Sequence, residues 1–327
     1  MHGVPGFETS DDVEELAFGR IGEDEAILIA STGFNVQAWS AVRLDTERDD
    51  SFRLTTDRGD RVLKVAHPAD GVDVIGLQLR ALQHATRADR GLPLQRIVRT
   101  TFDGQLHILP DGRVSWMFEW MPGALLRNAA EGADQFEALG TALGRLSKSL
   151  SKFLAEDANR LSAWDLQTVP RLSSLLAILP NDAVAEAISR YRSRVEPRLS
   201  ELPTQVIHND FNPGNVLVDP DGREFVVGIL DFGDVVYSLR VADLAVALSY
   251  QISPLRHTLA NVEPMVSAFD RQVGLTDAER EVLPDLVAAR FAQRILVKGW
   301  LSRNGQDRDN QHDANVSALT ALLDLEA

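Results

Sequence analysis

Between residues 205 and 234 the sequence leaves little choice of local structure. Two short apolar runs, 205–207 and 216–218, enclose a polar loop that begins with His-Asn-Asp. A turn and a third apolar run, 225–230, then lead to Asp-Phe-Gly-Asp at 231–234. Short apolar runs separated by Asn, Pro, Asp and Gly are typical of strands joined by tight turns. We therefore expect a strand, a polar loop and a β-hairpin that ends in a carboxylate.

The polar residues of this segment are those that phosphoryl transfer requires. Asp210 is predicted to accept a hydrogen bond from an acceptor hydroxyl and to take its proton. Asn215 and Asp231 offer amide and carboxylate oxygens, the ligands that suit Mg²⁺. Phosphoryl transfer depends mainly on positioning and charge neutralisation, so this set predicts a kinase. His208, in the same catalytic loop, is expected to organise the loop backbone rather than to act as the base.

This segment resembles a known superfamily. The sequence His-Asn-Asp-Phe-Asn-Pro-Gly-Asn at 208–215 is similar to the catalytic loop of aminoglycoside phosphotransferases and choline kinases, which are relatives of protein kinases. The segments 228–238 and 243–250 resemble hydroxylysine kinases and the kinase-like domains fused to some class III aminotransferases. The resemblance extends over most of residues 35–305 and is strongest at 203–250.

The resemblance implies a protein-kinase-like α+β fold with two lobes. We expect a small N-terminal lobe with an antiparallel sheet, residues 1–119, and a larger helical C-terminal lobe, residues 120–327. Alternating apolar residues at 36–66 favour strands, and helical periodicity dominates after residue 131. An amphipathic helix is expected near 13–19. Further helices are predicted at 72–85, 134–153, 171–179, 182–198, 240–252, 258–273 and 277–301, with a short one near the C-terminus.

Lys64 is the predicted anchor of the nucleotide phosphates. It lies in the apolar run 61–66, the second strand of a predicted hairpin, and is one of only four lysines in the chain. The resemblance implies that Lys64 contacts the α- and β-phosphates of ATP or GTP. No Gly-rich run precedes Lys64. The loop at 45–50 is acidic instead. In this group the polar loop replaces the glycines, so Arg48 and Ser51 are the expected phosphate contacts.

The partner of Lys64 is left open between two residues. Protein kinases pair this lysine with a carboxylate on the following helix. The predicted helix at 72–85 contains no glutamate. The resemblance assigns the pairing position to Gln78. Asp73 is the second candidate, although an acid so close to a helix start also favours the helix dipole.

The segment Trp-Met-Phe-Glu-Trp-Met-Pro-Gly at 116–123 is the expected hinge between the lobes. A strand that ends in Pro-Gly is typical of an exit into a linker. The resemblance implies that the main chain of Glu119 and Met121 contacts the nucleobase. Main-chain groups at this position do not choose between ATP and GTP.

The sequence says least about the molecule that accepts the phosphoryl group. The resemblance implies a small molecule with hydroxyl and amine groups, either hydroxylysine or a related amino alcohol, or else an aminoglycoside or a choline-like molecule. Asp234 is expected to bind a substrate ammonium or to close its loop by bonds to the backbone. Asp243, in the following predicted helix, is expected to support the catalytic region. The alternative function is a nucleotide-binding regulator without turnover, suggested by the missing helix glutamate and the unusual phosphate loop.

Composition argues against several other classes of protein and binding partner. The net charge of −15 argues against nucleic acid and anionic membranes as partners, because such surfaces attract basic proteins. The chain has no cysteine, which rules out disulfides and thiolate metal sites. No apolar run reaches the length that spans a bilayer, and the first residues lack the features of a secretory signal. We therefore expect a cytoplasmic protein; its oligomeric state is open.

Overall fold

The computed structural model describes residue 4 and residues 19–46, 49–129, 135–222, 224–252, 259–305 and 311–325. Arg48 and nearly all of the helix predicted at 13–19 lie outside these ranges. In the part of the chain that is described, no helix combines the length and apolarity needed to cross a membrane.

The N-terminal part is an antiparallel sheet covered by two helices. The strands stand in the order β1-β2-β3-β6-β4, and β5 pairs with the first two residues of β6. The predicted hairpin around Lys64 is present as β2 and β3. The elements are α1 Glu23–Phe34, β1 Ala38–Arg43, β2 Asp50–Thr56, β3 Arg61–Val65, α2 Val72–Ala88, β4 Ile97–Val98, β5 His107–Ile108 and β6 Val114–Glu119.

The two faces of this sheet serve different purposes. On the outer face Leu63 and Val65 pack with α1 in a small apolar cluster. Successive side chains of a strand point to opposite faces, so Lys64 points to the inner face together with Trp116 and Phe118. The apolar residues of that inner face belong to the same core as α2 and the C-terminal helices. The sheet therefore presents Lys64 towards the rest of the molecule.

The C-terminal part is mainly helical, with two small sheets at its junction with the N-terminal sheet. In these sheets β10, β9 and β7 pair in that order, and β8 pairs with β11. The elements are β7 Ala124–Leu125, α3 Gln135–Leu150, α4 Asp182–Arg190, β8 Thr204–Ile207, β9 Val216–Val218, β10 Val226–Ile229, β11 Val236–Leu239, α5 Arg240–Gln251, α6 Glu263–Val273, α7 Asp277–Arg303 and α8 His312–Leu325.

The antiparallel N-terminal sheet and the helical C-terminal part confirm the predicted α+β class. The sheet ends at Glu119, while the division at 119/120 into two domains stays a prediction. The helix predicted at 171–179 is a 3₁₀-helix, Leu166–Ala177, which contains Pro170. A proline inside a helix removes a backbone donor and clashes with the preceding turn, which disfavours a regular α-helix.

Two further helix predictions were inaccurate in detail, and two elements were not predicted. The helix predicted at 182–198 is α-helical only to Arg190, and continues as a π-turn and a 3₁₀-helix that contains Pro197. The helix predicted at 258–273 begins with a 3₁₀-turn, and Pro264 lies in the first turn of α6, a position where proline starts a helix rather than breaks it. Helix α1 and strand β11 were not predicted from the sequence.

Two glycines of α3 allow α6 to pack directly against it. A Cβ atom at Gly140 would clash with the carbonyl oxygen of Met265 and lie 2.9 Å from the Cβ of Ala268. A Cβ atom at Gly144 would lie 2.7 Å from the Cβ of Gln272. Neither backbone nor Cβ atoms can move without shifting a whole helix, so the approach of α3 and α6 requires residues without side chains.

We predict that Gly140→Ala lowers the free energy of unfolding by about 1–3 kcal/mol through overpacking, measured by urea denaturation. Gly76→Ala in α2 is the matched control, because the nearest atom to its Cβ is the mobile end of Arg80 at 3.1 Å. This control should be neutral or stabilising by up to about 1 kcal/mol, since alanine favours helix. Equal stability of the two variants would contradict the close packing of α3 and α6.

Candidate active site

His208 ties the loop between β8 and β9 to the strand that precedes Asp231. Its side chain is fully buried, and Nδ1 accepts the backbone N–H of Asp210 at 3.3 Å. Its Nε2 lies 3.0 Å from the carbonyl oxygen of Leu230 and therefore donates to it. Burial lowers the pKa of His208 to about 4, so the ring is neutral at pH 7. The ring edge also meets Phe232, with 4.9 Å between ring centroids.

Asp243 holds the start of the same loop from α5. Its carboxylate accepts the backbone N–H of His208 at 3.1 Å and that of Asn209 at 2.6 Å. The carboxylate is completely buried, and burial raises the pKa of Asp243 to about 6. Asn209 has φ 65°, a left-handed conformation that asparagine tolerates better than most residues. The loop thus makes its sharp turn where Asp243 binds it.

Asp210 is held by two side-chain amides of its own loop. Its Oδ1 accepts from Asn212 Nδ2 at 2.8 Å, and its Oδ2 accepts from Asn215 Nδ2 at 2.6 Å. Each carboxylate oxygen keeps a second lone pair for another donor. Because Asn215 also donates to the Asp210 carbonyl at 3.1 Å, its amide nitrogen faces Asp210 and its amide oxygen remains for another ligand.

Charged groups around Asp210 act in opposite directions. Burial and the neighbouring carboxylate of Asp234 raise the pKa of Asp210, whereas Arg290 lowers it. Arg290 is buried in α7, with Nη2 3.9 Å from Asp210 Oδ1. Its Nη1 donates to the Trp164 carbonyl at 3.0 Å and to Gln293 Oε1 at 2.7 Å, which fixes the guanidinium. Asp210 therefore has both an anionic and a cationic neighbour.

Asp231 and Lys64 face each other across the cleft between the sheet and the C-terminal part. Asp231 follows β10 and has φ 57°; its Oδ1 accepts the N–H of Gly233 at 3.0 Å. Its Oδ2 lies 3.3 Å from Lys64 Nζ, and this lysine lowers the pKa of Asp231. Lys64 Nζ also lies 3.1 Å from Asp49 Oδ2. Burial disfavours the charged lysine, but Asp231 and Asp49 raise its pKa above the ordinary value.

The structure places Lys64 differently from the sequence prediction in one respect. Among the described residues Lys64 pairs with Asp49 and Asp231, not with Gln78 or Asp73. Gln78 lines the same narrow cavity as Lys64 and Asp231, whereas Asp73 is exposed in the first turn of α2. A helix with no suitably placed acid cannot supply the carboxylate, and the loop before β2 supplies it instead.

Ser51, Glu119 and Met121, the other predicted nucleotide contacts within the described residues, lie in the sheet or at its end. Ser51 is paired with Lys64 in the β2–β3 ladder, so their side chains share the inner face. The Ser51 hydroxyl is buried and has no hydrogen-bond partner among the described residues. Glu119 ends β6, and the N–H of Trp120 donates to the Asp60 carbonyl at 3.0 Å, which places Met121 just beyond the sheet.

Asp234 lies in the loop after Asp231, on the side of Asp210. Arg160 donates to the carbonyl oxygens of Gly233 at 2.7 Å and Val235 at 3.1 Å, on either side of Asp234. Arg160, Arg290 and Asp49 were not predicted from the sequence to belong to this site. Arg160 and Arg290 are far from the loop in sequence and carry no local signal, whereas Asp49 lay in the acidic loop that was recognised as unusual.

Comparison with known proteins bears on the family and the fold of the chain. The chain matches the phosphotransferase enzyme family over residues 39–281. It is 24% identical over 309 residues to hydroxylysine kinase from Mus musculus, covering 85% of this chain and 82% of that protein. It is 24% identical over 260 residues to homoserine kinase from Zymomonas mobilis, covering 76% of this chain and 77% of that protein.

Among solved structures, an amicoumacin kinase in complex with AMP-PNP and Ca²⁺ superposes with a TM-score of 0.73. The match covers 95% of this chain and 96% of that one at 15% sequence identity, so it shows a shared fold. The predicted protein-kinase-like fold and the predicted superfamily are thereby confirmed.

We predict that Asp243→Ala destabilises the protein by about 2–4 kcal/mol, because two buried N–H groups lose their acceptor. Urea denaturation measures the effect. Asp182→Ala, at an exposed helix start, is the control and should cost less than about 1 kcal/mol. If both variants were equally stable, Asp243 would not be the support of the loop 208–215.

Proposed function

Because the chain belongs to the phosphotransferase enzyme family, we propose that it transfers the γ-phosphate of ATP or GTP to the side-chain hydroxyl of a small amino acid, with Mg²⁺ as the metal. One observation carries this proposal. Three separate parts of the sequence meet here: Asp210 is hydrogen-bonded to Asn215, and Asp231 is paired with Lys64. The two pairs are joined by the backbone N–H of Leu230, which donates to the Asn215 carbonyl at 2.8 Å. A base, oxygen ligands for a metal and a cation for phosphates are the groups that this reaction needs.

Asp210 acts as the base. Its carboxylate, fixed by Asn212 and Asn215, accepts a hydrogen bond from the acceptor hydroxyl and orients it towards the γ-phosphorus. The proton passes to Asp210 as the oxygen–phosphorus bond forms and the bond to the leaving nucleoside diphosphate breaks. Lys64 neutralises the charge that develops on the leaving phosphates. His208 contributes through the loop and not through proton transfer, because its buried ring is neutral and both its nitrogens are engaged.

Asn215 and Asp231 are the residues that would hold the metal. The donor set fits Mg²⁺, since it consists of an amide oxygen turned away from Asp210 and a carboxylate that is 41% exposed. Among the described residues no group of three or more His, Cys, Asp or Glu forms a closed cage. Mg²⁺ commonly takes one or two protein ligands and completes its shell with phosphate oxygens and water. Bound there, it would neutralise the β- and γ-phosphates.

The nucleotide is proposed to lie between the inner face of the sheet and β9. Lys64 and the buried hydroxyl of Ser51, for which the described residues offer no hydrogen-bond partner, face the phosphates, and a phosphate oxygen would satisfy that hydroxyl. The main chain of Glu119 and Met121 faces the base. Gln78 lines the cavity behind Lys64, and a contact from Arg48 stays a prediction.

The acceptor is proposed to be an amino acid that carries a hydroxyl. Hydroxylysine kinase and homoserine kinase, as named, act on such molecules, and both match more than three quarters of this chain. The ammonium of the acceptor would be bound by Asp234, next to the base. The alternative of a regulator without turnover rested on the missing helix glutamate and the unusual phosphate loop. The Asp49–Lys64 ion pair weakens the first of these two reasons, because it supplies a carboxylate from another element.

The acceptor is tested by coupled ADP or GDP release with ATP or GTP. The panel comprises homoserine, hydroxylysine, the carboxylate-free 1-amino-2-propanol, choline and an aminoglycoside. We expect acceptor-dependent turnover with the hydroxyl amino acids. Turnover only with acceptors that lack a carboxylate would contradict the proposed acceptor class, and no turnover with any of them would contradict the proposed function.

Asp210→Asn should lower kcat with the preferred acceptor by about 10²–10⁴-fold, because it removes a general base. The nucleotide KM should change little, since Asp210 is not a phosphate contact. Asp221→Asn, an equal change of charge in the exposed β9–β10 turn, is the control and should behave as wild type. Wild-type turnover by Asp210→Asn would eliminate Asp210 as the base.

Removal of divalent cations with EDTA should abolish turnover, and added Mg²⁺ should restore it. Asp231→Asn should raise the Mg²⁺ concentration for half-maximal turnover by about 10-fold or more, equivalent to about 1.4 kcal/mol of lost binding. The measurement is a Mg²⁺ titration of initial rates, again with Asp221→Asn as control. An unchanged titration in Asp231→Asn would show that this carboxylate is not a metal ligand.

A further inference from the structure

The ammonium of Lys64 lies between two carboxylates that have different surroundings. Asp231 Oδ2 lies 3.3 Å from Nζ on the side of the C-terminal part, and Asp49 Oδ2 lies 3.1 Å from it on the side of the sheet. The side chains of Lys64 and Asp49 are 12% and 18% exposed, whereas that of Asp231 is 41% exposed. The Lys64–Asp49 pair is thus the more sheltered of the two.

Helix α2 offers Lys64 no such partner. Its only acidic residue is Asp73, which lies exposed in the first turn. Gln78 lines the cavity next to Lys64 but is uncharged. In protein kinases the helix carboxylate aligns this lysine, so helix position controls activity. Here that source of control is missing, although the lysine is still largely sheltered and paired with carboxylates.

The position of Asp49 is set by the sheet. The next residue, Asp50, starts β2, is buried, and accepts the N–H of Ile21 at 3.0 Å. Asp50 also pairs with Arg43 at 2.6 Å and with Arg20 at 3.3 Å. Through the β2–β3 ladder Ser51 stands directly opposite Lys64, two residues from Asp49. The anchored Asp50 therefore fixes the chain where Asp49 turns towards the cleft.

We propose that Asp49 is the positioning residue for Lys64, and that it takes the place of the helix carboxylate of protein kinases. This inference rests on the proposed function. When a metal binds Asp231, that carboxylate no longer serves Lys64 alone, and Asp49 remains as its dedicated partner. The long lysine side chain carries a point charge on four rotatable bonds, so a fixed counter-charge is needed to keep it aimed at the phosphates.

The alignment of Lys64 towards the phosphates should therefore depend on the β2–β3 hairpin and not on α2. Asp49→Asn should lower kcat by about 10–100-fold, the scale of a misplaced charged group. Asp49→Glu should recover part of this loss, because it restores the charge. Asp45→Asn is the matched control, since Asp45 is an exposed acid of the same loop; it should retain wild-type kcat and nucleotide affinity.

A double-mutant cycle separates positioning from a general structural effect. If Asp49 acts through Lys64, the variant Lys64→Met/Asp49→Asn should be no slower than Lys64→Met alone. Additive losses would overturn the proposal. So would a kcat of Asp49→Asn equal to that of Asp45→Asn. A tighter MgATP complex with undiminished kcat in Asp49→Asn would also overturn it, because Asp49 would then compete with the phosphates.

A readout independent of turnover is the NMR signal of the Lys64 side chain, assigned with Lys64→Met in a chain that has four lysines. Asp49→Asn should shift this signal and Asp45→Asn should not. An unchanged signal would overturn the pairing whatever the activity. If wild type phosphorylates no acceptor, the proposed function fails, and the pairing is then judged on this signal alone.

Discussion

Asp243, in the first turn of α5, accepts hydrogen bonds from the backbone N–H groups of two consecutive residues, His208 and Asn209. All three residues are fully buried, so neither N–H could find water in its place. Asn209 is held in a left-handed conformation, which costs free energy unless its surroundings enforce it. The carboxylate thus fixes the turn that presents Asp210.

The second element of the site depends on this turn. The His208 ring extends from the loop to the carbonyl of Leu230, one residue before Asp231. Asp231 also adopts a left-handed conformation and reaches Lys64 across 167 residues of sequence. One chain of contacts therefore runs from α5 through the loop 208–215 and the carboxylate of Asp231, the proposed metal ligand, to the sheet. Positioning by such contacts is what phosphoryl transfer requires of a protein.

Sequence patterns predicted the parts of the site that are local. Strands β8, β9 and β10 and the loop between them follow from apolar runs and turn residues at short range. Lys64 could be assigned to a strand for the same reason. The two-residue strands β4, β5 and β7 have no such signal, because they exist only through pairing with β6 or β9.

Contacts between distant segments could not be predicted. Arg290 approaches Asp210 only because α7 packs behind the loop, and an arginine in a helix with several other charged residues gives no sign of its partner. The Asp49–Lys64 pair was missed because a charged loop is normally a solvated one, and its direction depends on the burial of Asp50. Local sequence patterns therefore predict helices and strands, whereas tertiary packing determines which charged side chains come into contact.

The most direct test of phosphoryl transfer is ³¹P NMR of a reaction with MgATP and an acceptor amino acid labelled with ¹⁸O in its side-chain hydroxyl. We expect a phosphate monoester signal with the isotope shift of a bridging ¹⁸O, which Asp210→Asn should form about 10²–10⁴-fold more slowly. The appearance of inorganic phosphate alone, or of a monoester without ¹⁸O, would contradict it, because the acceptor hydroxyl would then not be the attacking group.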